Sequence, residues 1–108
     1  MDSLEELKLK IDNFAEERDW TKFHTPANIA KSISIEANEL LECFQWSDSN
    51  YDIEDVKEEL ADVINYCIRL ASIMNLDPKE IVLAKLERNA IKYPVEKAKG
   101  VSTKYDKL

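Results

Sequence analysis

Four acidic residues, arranged as two pairs, are the residues of this 108-residue sequence best suited to chemistry. Glu36 and Glu39 form the first pair, Glu59 and Asp62 the second, and the partners of each pair are three residues apart. On a helix, residues three apart are neighbours on one face, with their Cβ atoms about 5–6 Å from each other. Like charges at that distance repel, so each pair needs a compensating charge.

Both pairs are predicted to border the apolar face of a helix. At about 100° per residue, Glu36 and Glu39 fall at the edge of one apolar stripe, and Glu59 and Asp62 lie along the flank of the next. No lysine or arginine lies one turn from Glu36 or Glu39 in either direction. Carboxylates beside a packed face need a partner charge. The spacing therefore favours a divalent cation held between the two helices.

The types of ligand indicate which cation this would be. A set of carboxylates suits a hard ion with oxygen ligands, Mg²⁺ first and Mn²⁺ second. Di-iron bundles use a Glu-x-x-His spacing, which is absent because the only histidine is His24, and zinc is disfavoured for the same reason. Acid-rich helices also present such pairs to solvent without any ion, and the spacing alone leaves that alternative open.

The composition restricts the possible partners. A formal charge of −7 argues against a surface for a nucleic-acid polymer, which needs clustered lysine and arginine. We expect a cytoplasmic protein without membrane contact, because no secretory leader pattern and no apolar run near the length of a membrane span occur. Cys43 and Cys67 fall on or near the apolar stripes and are expected to be reduced and buried.

A single glycine, three prolines and 44% hydrophobic residues are typical of a helical protein. Thr25-Pro26 and Asp77-Pro78 each combine an N-cap residue with a proline at the first helical position. The apolar spacing predicts helices over residues 2–19, 26–45, 53–74 and 78–92, followed by an irregular tail over 93–108. The predicted fold is all-α, a four-helix up-and-down bundle. Long apolar stripes on the second and third helices favour a homodimer or homotetramer.

Four segments of the chain resemble the MazG-like nucleoside triphosphate pyrophosphohydrolases and, within that group, the small dCTP pyrophosphatase-type enzymes: RDWTKFHTP, IEANELLECFQW, EELADVINYCIRLA and AKLERNAIKYPVEKAKG. The metal motif of that family is Glu-x-x-Glu, a variable spacer and Glu-x-x-Asp. The resemblance implies one MazG-like domain over residues 1–108 that binds Mg²⁺ through Glu36, Glu39, Glu59 and Asp62. It also implies hydrolysis of a nucleoside triphosphate to the monophosphate and pyrophosphate.

The resemblance further implies contacts to the nucleotide from several elements. Trp20, His24 and Trp46 are expected at the base, with Tyr66 lining the pocket, and Lys85, Asn89, Lys92 and Lys104 are expected at phosphate or sugar. Judged by residue type alone, the tryptophans suit hydrophobic anchors, and Lys85, Asn89 and Lys92 suit a solvated helix face. Because of the resemblance to the family, we expect these residues to bind the substrate instead.

The sequence therefore favours a Mg²⁺-dependent pyrophosphohydrolase that acts on a dCTP-like or modified pyrimidine nucleotide in the clearing of the nucleotide pool. One alternative is a non-catalytic helical adaptor whose acidic faces bind a protein. Another is a carboxylate-bridged iron protein, which the missing histidine ligands disfavour. Residue types alone do not select the base, because aromatic stacking accepts every base.

Overall fold

The computed structural model describes residues 2–108, and in these residues the chain is helical, with no strands. The all-α class predicted from the sequence is confirmed. The chain divides into two compact units, one ending at Leu76 and the other spanning Asp77–Leu108. The helices are α1 Ser3–Glu17, α2 Pro26–Glu42, α3 Ile53–Ile73, α4 Pro78–Lys92 and α5 Val95–Ala98.

The helices of the first unit begin at side-chain caps that the sequence makes available. Asp2, Thr25 and Asp52 each accept a hydrogen bond from a backbone amide of the first turn, which satisfies a donor that has no partner inside the helix. Pro26 follows Thr25 at a position where no amide is needed. These local signals explain why the predicted start of each helix lies within one residue of the observed one.

The predicted ends of the first three helices are less accurate. Helix α1 ends two residues earlier than expected, at a turn in which Asp19 has a φ of +56° and the Trp20 amide donates to the Ala15 carbonyl. Asn75 has the same φ where α3 ends. Such turns usually contain glycine. Because neither turn contains one, the sequence does not mark these two helix ends. At the end of α2, three successive amides after Glu42 bond three residues back, so the α-helix tightens before Gln45.

Helix α3 is the centre of the first unit, because both α1 and α2 pack against it. The buried apolar side chains come from all three helices and are Ala15, Ile29, Ile68 and Ala71. The predicted apolar stripe of α3 is not fully covered, since Leu60 and Ile64 are 43% and 45% exposed. The expectation that both cysteines are buried is also wrong: Cys43 is half-buried and Cys67 is exposed.

The second unit begins with α4, which has the predicted bounds and is capped by Asp77. The prediction of an irregular tail is wrong in part, because Val95–Ala98 form α5 and Tyr105–Lys107 form a 3₁₀ turn. Tyr105 packs edge-on against Tyr93 with ring centroids 6.0 Å apart. This aromatic contact joins the final 3₁₀ turn to the end of α4.

No helix among residues 2–108 has the length and apolar character needed to cross a membrane.

Candidate active site

The packing of α2 against α3 brings three of the four predicted metal-binding carboxylates together. Glu36 comes from α2, and Glu59 and Asp62 come from α3. Each offers a carboxylate oxygen within 4.8 Å of the others, although 23 residues separate Glu36 from Glu59 in the sequence. Glu36 and Glu59 are half-buried and Asp62 is exposed. We call these three residues the carboxylate cluster.

Two oxygens of the carboxylate cluster are buried without a hydrogen-bond partner, Oε2 of Glu36 and Oε2 of Glu59. Among the described residues, no lysine or arginine forms an ion pair with either glutamate, and the basic residues that do form ion pairs are bound to other acids. A buried carboxylate oxygen without a donor is costly. Hard oxygen ligands that lack a counter-charge fit a divalent cation.

Glu39 lies beside the carboxylate cluster rather than within it. Its carboxyl group lies close enough to those of Glu36 and Glu59 to perturb both. This proximity, burial and the neighbouring charges raise the pKa of Glu36 to about 7. Burial and then the proximity of Glu39 also raise the pKa of Glu59. In the absence of a cation, the four acids therefore cannot all carry a charge at neutral pH without strong repulsion.

A groove between α1 and α3 opens next to the cluster, and Asp62 belongs to both. Its volume is about 490 Å³, within the range of small-molecule sites. The α1 wall consists of Leu7, Lys10, Ile11 and Phe14, and the α3 wall of Ala61, Asp62, Ile64 and Asn65. An apolar groove that ends at a carboxylate cluster can hold a flat, partly apolar group while a charged group meets the cation.

Apart from Asp62, none of these groove residues was identified from the sequence. For α1 the sequence predicts only a helix over residues 2–19, and no motif marks it as part of a site. Lys10 and Asn65 are the polar groups of the groove apart from Asp62. Asn65 follows Asp62 by three residues on α3, so its place near the cluster follows from helical spacing once Asp62 is placed. The role of Lys10 depends on how α1 packs, which the sequence does not reveal.

Two of the predicted base contacts lie in the connection between α1 and α2. Trp20 is 44% exposed and packs edge-on against Phe14, with ring centroids 5.8 Å apart. Trp20 is thus in contact with one residue of the α1 wall, Phe14, although it does not itself line the groove. His24 follows the 3₁₀ turn Thr21–Phe23 and is half-buried.

The other predicted contacts of the first unit lie on or after the two helices of the cluster. Trp46 follows the end of α2 and is 90% exposed. Tyr66 is half-buried on α3, four residues after Asp62. An indole that is almost fully exposed contributes little packing to its own chain, so Trp46 is available for another molecule.

The predicted phosphate contacts lie in the second unit. Lys85, Asn89 and Lys92 are on α4, where the two lysines are exposed and Asn89 is half-buried. The Lys92 ammonium lies 4.8 Å from the centroid of the Tyr105 ring, a cation–π contact that leaves its charge close to solvent. Lys104 immediately precedes the final 3₁₀ turn and is exposed.

Comparison with known proteins identifies the family. Residues 31–108 match the model of the MazG-like family. The dCTP pyrophosphatase 1 of Homo sapiens is 35% identical over 115 residues, which span 98% of this chain and 68% of that protein. The dCTP pyrophosphatase 1 of Bos taurus is 34% identical with the same coverage.

A solved structure agrees with these relatives. The crystal structure of a pyrophosphatase from Archaeoglobus fulgidus is 43% identical, with a TM-score of 0.78 over 87% of this chain and 94% of that one. The chain therefore belongs to the MazG-like family, and the resemblance seen in its motifs is confirmed. It is a nucleotide pyrophosphatase, a hydrolase, and not a non-catalytic adaptor.

Removing one charge from the carboxylate cluster should stabilise the metal-free protein. In Glu36→Gln, repulsion from Glu39, Asp62 and Glu59 is relieved. After allowance for solvent screening, the gain at pH 8 should be roughly 1 kcal/mol, or about 4–8 °C in melting temperature for a domain of this size. Thermal unfolding in the presence of a chelator measures it.

The effect should depend on pH in a defined direction. The folded-state pKa of Glu36 is raised from 4.5 to about 7, so the wild-type chain loses stability as the pH rises through that window. The advantage of Glu36→Gln should therefore grow between pH 4.5 and pH 8. Glu42→Gln, at an exposed position on the same helix, is the control and should show no such growth. Equal behaviour of the two variants would contradict crowding at Glu36.

Proposed function

We propose that this protein is a Mg²⁺-dependent nucleoside triphosphate pyrophosphohydrolase that produces a nucleoside monophosphate and pyrophosphate. Glu36, Glu39, Glu59 and Asp62 are the proposed metal-binding and catalytic residues. The observation that carries the proposal is the pair of buried, unpartnered carboxylate oxygens between α2 and α3. All-oxygen ligands favour Mg²⁺, with Mn²⁺ as a possible substitute.

The carboxylates have two tasks in this reaction. They hold the cation, which when bound neutralises charge on the phosphate oxygens and polarises the phosphorus–oxygen bonds. A carboxylate of the site that does not hold the cation through both oxygens accepts a proton from the attacking water. Glu39 lies next to the carboxylate cluster without completing it, so it is placed to serve either task.

The triphosphate also requires cations from the protein, because the chain has a net charge of −7. Lys85, Lys92 and Lys104 are the proposed contacts to phosphate, and Asn89 is proposed at phosphate or sugar. The exposure of the three lysines supports this role, since none is held in an ion pair within the described part of the chain.

The nucleoside is proposed to occupy the groove between α1 and α3. Trp20 packs against Phe14 of the groove wall, which supports a place for it at the base, and Trp46, His24 and Tyr66 are proposed to complete the contacts to the base. The relatives named dCTP pyrophosphatase support a dCTP-like or modified pyrimidine nucleotide as the substrate. Hydrolysis of such a nucleotide would remove a surplus or non-standard precursor from the pool.

We include self-association, as a homodimer or homotetramer, in the proposal. Large apolar side chains remain exposed on α2 and α3, with Ile35 and Leu41 at 58% and 66%. A second copy that covers them would bury apolar surface worth about 25 cal/mol per Å². Sedimentation of the purified protein should show a dimer or tetramer at micromolar concentration. A monomer under those conditions would contradict this part of the proposal.

The reaction is tested by measuring pyrophosphate and monophosphate release from a panel of nucleoside triphosphates, canonical and modified, with Mg²⁺ and with chelator. We expect release only with the metal, and fastest release from a cytosine nucleotide. Asp62→Asn should reduce kcat by about 10²-fold or more, because it removes a charged ligand at the reacting centre.

Glu42→Gln is the matched control, since it removes a carboxylate from an exposed position of α2 outside the site. It should retain wild-type turnover. Turnover by the wild type in the presence of chelator would contradict the metal requirement. Wild-type kcat in Asp62→Asn would remove that residue from the site, and release of inorganic phosphate instead of pyrophosphate would overturn the reaction.

Trp46→Ala tests base recognition. Because the indole is 90% exposed, its loss should change the free energy of unfolding by no more than about 0.5 kcal/mol. Loss of base stacking, worth about 1–3 kcal/mol, should raise KM with little change in kcat. Trp46→Phe keeps a flat ring and should restore most of the affinity. An unchanged KM in Trp46→Ala would show that the indole does not contact the nucleotide.

A further inference from the structure

Arg69 is the most deeply buried charged residue described in the chain, with only 7% of its side chain exposed. Its guanidinium donates through three different nitrogens. Nη1 donates to Oδ1 of Asp12 at 2.7 Å, Nε donates to Nδ1 of His24 at 2.9 Å, and Nη2 donates to Oγ1 of Thr21 at 3.4 Å. A single side chain of α3 is thus bonded to α1 and to the connection that follows α1.

The Asp12 end of this network is fixed by further donors. Ser72 donates its hydroxyl to Oδ2 of Asp12 at 2.6 Å, and Lys8 lies 3.3 Å from the same oxygen. Burial raises the pKa of Asp12, but hydrogen bonds from Ser72, Arg69 and Lys8 outweigh it and hold the pKa below its usual value. Asp12 is therefore a carboxylate that keeps Arg69 in place, and Arg69 in turn reaches His24.

The bond from Arg69 determines the protonation of His24. An arginine nitrogen can only donate, so Nδ1 of His24 must be the acceptor and must be unprotonated. The neutral imidazole then carries its proton on Nε2. Burial and then the charge of Arg69 lower the pKa of His24, which agrees with a neutral ring.

We infer that Arg69 is a positioning residue for the nucleotide site, acting through His24. It fixes the ring orientation and the tautomer of His24, and it holds the connection that contains Trp20 against α3, the helix of Glu59 and Asp62. This inference rests on the proposed role of His24 in substrate binding. Arg69 itself is not a catalytic residue, because its donors are directed at Asp12, His24 and Thr21.

The inference assigns a definite chemistry to His24. With Nδ1 occupied and Nε2 protonated, the imidazole has no free lone pair to take a proton. It can donate one hydrogen bond, so it recognises an acceptor oxygen or nitrogen of the nucleotide and does not act as the general base. If His24 contacts the base, the rise in KM on replacing His24 should differ from one base to another. If it contacts phosphate, the rise in KM should be the same for all triphosphates.

The first test measures His24 directly by ¹⁵N NMR of protein labelled in histidine and arginine. The chain contains one histidine, so the imidazole gives a single pair of nitrogen signals. We expect an unprotonated Nδ1, a protonated Nε2, and a scalar coupling between Nδ1 and Nε of Arg69 across the hydrogen bond. A wild-type His24 protonated on Nδ1 near pH 7.5 would overturn the inference without any variant.

The second test uses Arg69→Lys, which keeps a cation beside Asp12 but has no Nε–H for His24. We expect the variant to fold, and His24 to show a mixture of tautomers. KM for the best nucleotide should rise about tenfold, the equivalent of one lost hydrogen bond, with kcat changed less. Lys79→Met, at an exposed position of α4, should leave KM and the His24 signals unchanged.

A double-mutant cycle separates positioning from general loss of structure. If Arg69 acts through His24, Arg69→Lys should raise KM in the wild type but have almost no further effect in a His24→Gln background. If the two substitutions raise KM independently, so that their effects multiply in the double variant, the inference is overturned. It is also overturned if Arg69→Lys has the wild-type KM and the wild-type His24 signals. If Arg69→Lys does not fold, the wild-type NMR result and a second variant, Thr21→Val, decide the outcome. Thr21→Val removes the weakest of the three acceptors of Arg69 and should shift the His24 signals. An unchanged spectrum would count against the network.

The two proposals fail in different ways. If the wild type hydrolyses no nucleotide, the proposed function is wrong, and the NMR measurements still decide whether Arg69 fixes His24. If the wild type hydrolyses nucleotides but His24→Gln has the wild-type KM for every triphosphate, the reaction stands and the link from Arg69 to the substrate is wrong.

Discussion

The central constraint in the first unit is the negative charge that accumulates where α2 packs against α3. Helix α2 packs against α3, with apolar side chains such as Ile29 and Ile68 buried, and this packing brings one carboxylate oxygen each of Glu36, Glu59 and Asp62 to within 4.8 Å of the others. The carboxylates cannot separate without giving up buried apolar surface, so their repulsion remains in the folded chain. In the proposed function, a bound cation would remove that repulsion and would also neutralise the charge of a triphosphate, which favours attack by water.

The basic residues of the first unit explain why the chain does not neutralise the cluster itself. Arg69 is buried on the same helix as Glu59, but its charge is bound to Asp12. Lys57, two residues from Glu59, pairs with the exposed Glu54. Opposite charge is therefore present on α3 and directed away from the cluster. Neutralisation by an arginine would fill the space that the proposed function assigns to a cation and a phosphate.

Sequence features predicted most of the structural features that depend only on neighbouring residues, such as the starts of helices. The Thr25-Pro26 and Asp77-Pro78 signals predicted the starts of α2 and α4, and three of the four acids that the three-residue spacing singled out lie together in the structure. Features that depend on tertiary packing were missed. Arg69 and His24 are 45 residues apart, and nothing near either residue marks their contact. The α1 wall of the groove depends in the same way on packing, and the helix ends at Asp19 and Asn75 use residues other than glycine in a conformation that glycine normally adopts.

The two polar groupings of the first unit have opposite electrostatic requirements, and this difference divides the chemistry between them. The carboxylate cluster lacks donors, so its oxygens are free to bind a cation or accept a proton. In the network around Arg69 the charged groups are paired with one another, and the network leaves His24 with a proton and no accessible lone pair. In the proposed reaction, proton acceptance therefore belongs to the carboxylates of α2 and α3, while the only imidazole of the chain contributes a hydrogen-bond donor. A histidine that served as base would have to lose the Arg69 bond, which would leave a buried guanidinium nitrogen without its acceptor.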